Sequence, residues 1–302
     1  MAKRDNRWCL ICQPRNRTLY WHKTDPDKIG IPNEAGYTSD IMWCYCNKCD
    51  RAYSLSQYCQ IADIDMNDFL AGDFHVQEAE EDTVQAMAWP ANFVPLSDPR
   101  AERGVEYIKS RGLTLDGDMY YDLNEEGIVF PYYVENHFCG AQIRFIKERI
   151  NEEGDIWKVT TLPGTRLGLM FYGWNQSKLM AQIKGIIVCE GAFNALGIQQ
   201  ALSQAYGGVH NNPWRVIACS GSGATESQRE ALRALKEKGY KIVIAPDTDD
   251  AGMKMYKKFV ESNCATHYAF TGDTASDWNN KLQELGHKDF AKFVIKSITP
   301  IV

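Results

Sequence analysis

The pattern of apolar and polar positions changes character along the chain. Arg103 to Arg111 predicts a short amphipathic helix, with Val105 and Ile108 on one side. Gly127 to Val134 predicts a strand, and Ala141 to Ile146, alternating apolar and polar, predicts a second. The short segment Glu135 to Phe138, just ahead of Cys139-Gly140, predicts a hairpin between them, and Trp157 to Leu162 predicts another strand. From 185 onward the apolar runs become continuous. Gly185 to Cys189 reads as a strand buried on both faces of a parallel sheet. A helix over Ala192–Gln204 follows, then strand Arg215–Ser220, helix Glu226–Lys238, strand Lys241–Ala245, helix Gly252–Glu261 and strand Ala265–Phe270. This alternation predicts a βαβ sheet with its site at the strand C-terminal ends, after Cys189, Cys219 and Ala245.

Composition narrows the class. The 302 residues are long for one domain, and 44% hydrophobic with 24% charged is ordinary globular usage. No apolar run approaches the ~18 residues of a membrane span, and the opening MAKRDNRWCLIC has no apolar core of a secretory signal. A cytoplasmic protein, in a bacterium or a phage-infected host, with no membrane partner is expected. The net charge of −6 is concentrated in one place: residues 61–99 hold 9 Asp/Glu and no Lys/Arg, whereas residues 1–60 hold 9 Lys/Arg against 6 Asp/Glu. The acidic run Glu78 to Asp82 followed by prolines at 90, 95 and 99 predicts an acidic linker over 63–99, most flexible over 72–95. The mildly basic N-terminal module keeps nucleic acid in play.

Five of the ten cysteines lie between positions 9 and 49. Cys9-x2-Cys12 and Cys46-x2-Cys49 are two knuckles suited to one tetrahedral, structural zinc. The 33 residues between them imply an insertion, and Cys44 and His22 are competing ligands. Basic and aromatic residues surround the knuckles, among them Arg15, Arg17, Tyr20, Trp21, Lys23, Trp43, Tyr45, Lys48 and Arg51. Such mixtures suit single-stranded nucleic acid, where rings stack on bases and cations meet phosphates.

The strand ends of the C-terminal half carry acids. Glu190-Gly191 follows the first strand and Asp247-Thr248-Asp249-Asp250-Ala251-Gly252 follows the third. Carboxylates gathered at adjacent strand ends repel, and are tolerated where hard cations such as Mg²⁺ neutralise them in phosphoryl transfer. Between them, Ser220-Gly221-Ser222-Gly223-Ala224-Thr225 is either an ordinary strand-to-helix loop or a turn whose N–H groups face a phosphate.

Cys-Glu-Gly-Ala-Phe-Asn-Ala-Leu, Ser-Gly-Ser-Gly-Ala-Thr and Pro-Asp-Thr-Asp-Asp-Ala-Gly together resemble the TOPRIM domain of DnaG-type primases and topoisomerases. The cysteine knuckles ahead of it narrow the likeness to primases. Ile128 to Tyr133, Gly140 to Arg144 and Gly168 to Asn175 are similar to the basic subdomain that precedes TOPRIM in phage primase-helicases. The resemblance implies a multidomain α/β chain: a β zinc ribbon over 1–62, the linker over 63–99, an α+β basic subdomain over 100–180 and a TOPRIM parallel-sheet domain with a C-terminal tail over 181–302. It implies a nucleotidyltransferase, a DNA-directed RNA polymerase that makes short RNA primers on single-stranded DNA from NTPs. Glu190 matches the family's glutamate for acid–base chemistry or metal organisation, Asp247 and Asp249 match the pair that holds Mg²⁺ or Mn²⁺, and Asp277 resembles the last acidic motif. Arg144, Lys158 and Arg166, with Asn194, Ser220, Gly221 and Asp277, fall at expected template or nucleotide contacts. Two positions depart from the pattern. Asn194 stands where primases commonly have aspartate, and Asn279 where bacterial primases place another acid. A second metal is therefore expected to bind less tightly.

No Gly-x4-Gly-Lys-Ser/Thr motif is present, so a helicase partner is expected in trans. Competing readings are a zinc-and-TOPRIM recombination mediator, which places one compact finger between a helix-hairpin-helix and TOPRIM, and a TOPRIM nuclease. A type I topoisomerase would need a tyrosine-bearing domain after the TOPRIM.

Overall fold

A computed structural model describes residues 19–23, 42–46, 51–62, 76–77, 84–150, 154, 156–174, 183–220, 224–272 and 277–301. The chain divides into two compact units, Met1–Thr83 and Val84–Val302.

In the first unit, strands β1 (Leu19–Lys23), β2 (Met42–Cys46), β3 (Arg51–Ser54) and β4 (Val76–Gln77) form one sheet in the order β3-β2-β1-β4. Helix α1 (Leu55–Ile61) starts at Ser54, whose hydroxyl accepts from Gln57 N while the Gln57 side chain accepts from Ser54 N, a reciprocal cap. Leu55, Tyr58 and Cys59 are buried, and so is Cys44 on β2. Of the expected zinc ligands, Cys46 closes β2, paired with Leu19 and Arg51. Cys9, Cys12 and Cys49 lie outside the described residues.

The second unit opens earlier than the charge pattern suggests. Of the expected linker, residues 84–99 are built into this unit, and 63–75 and 78–83 lie outside the described residues. Met87 N donates to Phe138 O at 2.7 Å, and the Trp89 ring lies 4.6 Å from Tyr120 and 4.8 Å from Phe138. The prolines punctuate structure here. Pro95 ends the edge strand β5 (Phe93–Pro95), where a missing N–H costs no ladder bond, and Pro99 opens a 3-10 turn capped by Asp98.

β5, β6 (Tyr120–Asp122), β7 (Gly127–Val134), β8 (His137–Ile150) and β9 (Ile156–Thr161) form an antiparallel meander in that order, with helix α2 (Glu102–Ser110) between β5 and β6. A second sheet has the order β11-β10-β12-β13-β14. β10 (Gly185–Cys189), β11 (Trp214–Ala218), β12 (Lys241–Ala245) and β13 (His267–Tyr268) run parallel, and β14 (Thr299–Pro300) is antiparallel.

The continuous apolar strands bury both faces. Ile187, Cys189, Val216, Ala218, Val243 and Ala245 join one core with α3 (Ala192–Ala205) and α6 (Trp278–Ser297). Ile186, Val188, Ile217, Ile242 and Ile244 join the other with α4 (Glu226–Glu237) and α5 (Asp250–Glu261). α6 corrects the expectation of a C-terminal tail: Trp278, Leu282, Phe290 and Val294 are core residues. Its apolar period is interrupted at Gly286, whose φ of 68° is not helical, which hides the helix from a single-period pattern. Met170 and Tyr172, within the stretch Gly168 to Asn175 placed by resemblance with the basic subdomain, lie against the parallel sheet. Tyr172 exchanges backbone hydrogen bonds with Ala218 at 2.9 and 3.1 Å, and the buried Gln228 amide donates to Met170 O at 2.7 Å. Among the described residues no helix is long and apolar enough to cross a membrane.

Candidate active site

β10 and β12 are hydrogen-bonded neighbours in the middle of the parallel sheet, in register at Cys189↔Ala245. The chain therefore leaves both strands side by side, and the next polar residues are Glu190 and Asp247. Asp249 caps α5, its Oδ1 accepting from Gly252 N at 2.8 Å. Gly252 is required by packing: a Cβ there would stand 2.3 Å from the Asp247 carbonyl oxygen. Asp277 caps α6 by accepting from Asn280 N at 2.7 Å. Two helix N-termini with acidic caps thus face the same strand ends.

Burial raises the Asp247 carboxyl to about 8, and the neighbouring charges of Glu190, Asp277 and Asp249 push in the same direction. One hydrogen bond opposes them: Asn194 Nδ2 donates to Asp247 Oδ1 at 2.8 Å. Glu190 is also raised, first by burial and then by Asp249. Its Oε2 is buried and accepts no hydrogen bond from the described residues. A buried carboxylate oxygen left without a donor is costly, and a bound cation is the usual remedy.

The described His, Cys, Asp and Glu side chains include no group of three already gathered as a metal cage. The residues nevertheless fit a hard divalent ion. The donors are carboxylate oxygens, one of them is buried without a partner, and their mutual repulsion is relieved by positive charge. Glu190 and Asp247, joined by Asp249, would hold it.

Asn194 lies in the first turn of α3 and is 7% exposed. Its nitrogen serves Asp247 and its oxygen accepts from Asn279 N at 3.2 Å, so both ends of the amide are committed within the protein. The amide therefore braces Asp247 from within the protein. Ser220 follows β11 in a left-handed conformation (φ 53°), with its N–H on Glu190 O at 2.9 Å and its carbonyl accepting from Gln142 Nε2 at 3.0 Å. Gly221 lies outside the described residues. Arg144, opposite Ile128 and Val159 on β8, is half-buried and reaches the Tyr107 hydroxyl. Burial alone would raise that hydroxyl, but hydrogen bonds from Arg111 and Arg144 hold it below the usual tyrosine value. Lys158 is exposed on the outermost strand and paired with Glu148 at 3.2 Å. Arg166 precedes the 3-10 turn Leu167–Leu169 and is half-buried.

One participant has no local signal in the sequence, Arg111 at the end of α2, and nothing local pairs it with Asn279. Arg111 Nη1 donates to Asn279 Oδ1 at 3.1 Å across 168 residues of chain.

Among solved structures, the chain is similar to the DnaG primase catalytic domain bound to ssDNA, at 16% identity and a TM-score of 0.48, over 69% of this chain and 75% of that one. It is similar to the RNA polymerase domain of Mycobacterium tuberculosis primase DnaG, at 14% identity and a TM-score of 0.47, over 68% and 79%. A further likeness is to the Aquifex aeolicus primase with its zinc-binding and RNA polymerase domains, at 16% identity and a TM-score of 0.47, over 95% and 81%. No curated protein sequence matches the chain. Glu190, Asp247, Asp249 and Asp277 all fall within residues 187–282, the segment that matches the Toprim-like family.

Proposed function

We propose that this chain is a DNA primase of the DnaG type, building short RNA primers on a single-stranded DNA template from NTPs. The observation that carries the proposal is the acidic edge itself: a buried Glu190 oxygen without a partner among the described residues, near an Asp247 carboxyl raised to about 8, at adjacent ends of two central parallel strands. A divalent cation, when bound, supplies charge neutralisation for the carboxylates and for an incoming triphosphate. The protein's own groups do the rest. Asp247 gives up its proton to offer an oxygen beside those of Asp249, with Asn194 orienting Asp247. The Glu190 oxygen not offered to the cation takes the proton of a primer 3′-hydroxyl as that hydroxyl oxygen bonds to the α-phosphorus and pyrophosphate leaves. Arg144, Lys158 and Arg166 supply positive charge for template or triphosphate. Cys9, Cys12, Cys46 and Cys49 hold one structural zinc in a template-reading module over 1–62, and a replicative helicase acts in trans.

The test is a single-stranded template, labelled NTPs and Mg²⁺ or Mn²⁺, resolved on a gel. Short RNA products that vanish in Asp249→Ala support the proposal. Shortening of the template with no RNA made would assign the same edge to a nuclease, and tight DNA binding with neither outcome would assign the chain to a recombination mediator.

A further inference from the structure

The network at Asp247 continues beyond the carboxylate. Asn194 donates to Asp247 Oδ1 through Nδ2 and accepts from the Asn279 backbone N–H through Oδ1. A backbone N–H can only donate, so the Asn194 oxygen must face Asn279 and its NH2 group must face Asp247. That N–H is one of the four at the start of α6 that find no partner inside the helix. The Asn279 side chain closes a second ring, with Oδ1 accepting from Arg111 Nη1 at 3.1 Å and Nδ2 donating to the Arg111 carbonyl at 2.9 Å. Gln283 Nε2 donates to the same Oδ1 at 3.1 Å. Arg111 is itself clamped. Its guanidinium carbon lies 5.4 Å from the Tyr107 ring centre and 5.1 Å from that of Phe193, the neighbour of Asn194, and Nη2 donates to the Tyr107 hydroxyl at 3.1 Å. The end of α2 and the starts of α3 and α6 therefore meet in one side-chain cluster.

We infer that Asn279 and Arg111 are positioning residues for the acidic edge: Arg111 holds Asn279, Asn279 holds the Asn194 amide in one orientation, and that amide holds Asp247 Oδ1, leaving Oδ2 for a ligand. The terminal torsion of an aspartate is soft, and the like charges around Asp247 push its carboxylate away from them. A neutral donor fixed from behind counters that push without competing for a cation. Arg111 touches Asn279 and two rings, so it acts through geometry. Its planar fork makes the arrangement specific to arginine, because lysine keeps the charge and loses the second donor. The use made of Oδ2 rests on the primase proposal above, and the relay does not.

The experiment therefore has two readouts on the full, zinc-loaded chain: Mn²⁺ affinity by electron paramagnetic resonance, and hydrogen exchange of the Asn194 side-chain amide in protein carrying ¹⁵N-asparagine. Wild type, Arg111→Lys, Asn279→Ala and the surface control Lys292→Ala are compared. The Asn194 amide protons exchange slowly in wild type and in the control. In Arg111→Lys and Asn279→Ala they exchange faster, and Mn²⁺ binds about 10-fold more weakly, at the lower end of what loss of a ligand's supporting partner costs. Arg111→Lys keeps the charge and the aliphatic stem, so it decides the matter even where Asn279→Ala unfolds. Unchanged amide exchange in Arg111→Lys overturns the relay, whatever happens to Mn²⁺. Faster exchange in a protein whose wild type binds no Mn²⁺ leaves the relay standing and removes the metal from the primase proposal.

Discussion

The C-terminal edge of the parallel sheet and the exposed surface around the antiparallel sheet treat charge in opposite ways. At the first, Glu190, Asp247, Asp249 and Asp277 gather, and the hydrogen bond that opposes their effect on Asp247 comes from a neutral amide. At the second, opposite charges pair in solvent: Lys158 with Glu148 at 3.2 Å, Arg149 with Glu125 at 2.6 Å and Arg103 with Glu126 at 2.6 Å. All six side chains are 39–54% exposed, and pairs of that kind contribute ~0–1 kcal/mol. Burying one carboxylate among others costs more than such pairs return. The contrast separates surface from site. Paired charges mark where the fold meets water, and the unrelieved acidic cluster marks where a ligand is expected to complete it.

The comparison is broken most sharply at Glu190. Glu190→Gln keeps the shape and removes the charge, so primer synthesis should fall by about 100-fold or more, the range of lost general acid–base help. The melting temperature in magnesium-free buffer should stay level or rise, because the removed charge has no hydrogen-bond partner at Oε2 among the described residues. Normal activity in this variant would end the catalytic assignment.

Asp247 offers the next largest effect, through pH. A carboxyl raised to about 8 in the folded state keeps its proton where the unfolded chain has lost it. Its contribution to stability is therefore complete below about pH 4 and is lost as pH rises through about 8, on the order of 3 kcal/mol after allowance for partial solvent contact. Magnesium-free melts should show the unit over Val84–Val302 losing stability across that window, and Asp247→Asn should flatten the decline. Added Mg²⁺ must displace the same proton, so its affinity should tighten as pH rises. A pH-independent Mg²⁺ titration would show that Asp247 is not among its ligands.

Gly252 tests whether close packing builds the edge. A methyl group aimed at the Asp247 carbonyl cannot be accommodated without moving the backbone, so Gly252→Ala should cost roughly 2 kcal/mol, the range of overpacked sites. Thermal denaturation would register this as a drop of about 5 °C, and wild-type stability would show that the α5 turn is free to shift.

The smallest effect belongs to the other region. Lys158→Ala should change stability by less than about 0.5 kcal/mol. If Lys158 touches template phosphate, the same change should lower the salt dependence of DNA binding by about one counterion. A large loss of stability would mean that the Lys158–Glu148 pair is structural after all.

The two regions also differ in how far they can be read in advance. The strands β10, β11 and β12 stand out because burial on both faces demands unbroken apolar runs, and β8 because its apolar and polar positions alternate over Ala141–Ile146. Glu190 and Asp247 follow such strands directly, and parallel pairing of β10 with β12 brings their ends together. β5 and the packed stretch from Val84 are masked by prolines and by the acids that precede them. α6 is masked by Gly286.

What the chain determined by itself is therefore the order of elements, the two-faced burial of the parallel strands and the identity of the acids at their ends. Each follows from near-neighbour patterning, because strand and helix periods are local. Only the tertiary structure decided what stands behind those acids. The orientation of Asn194 depends on Asn279, and Asn279 depends on an arginine 168 residues away. No local period records such a contact, because it exists only once three helices have packed against one sheet edge.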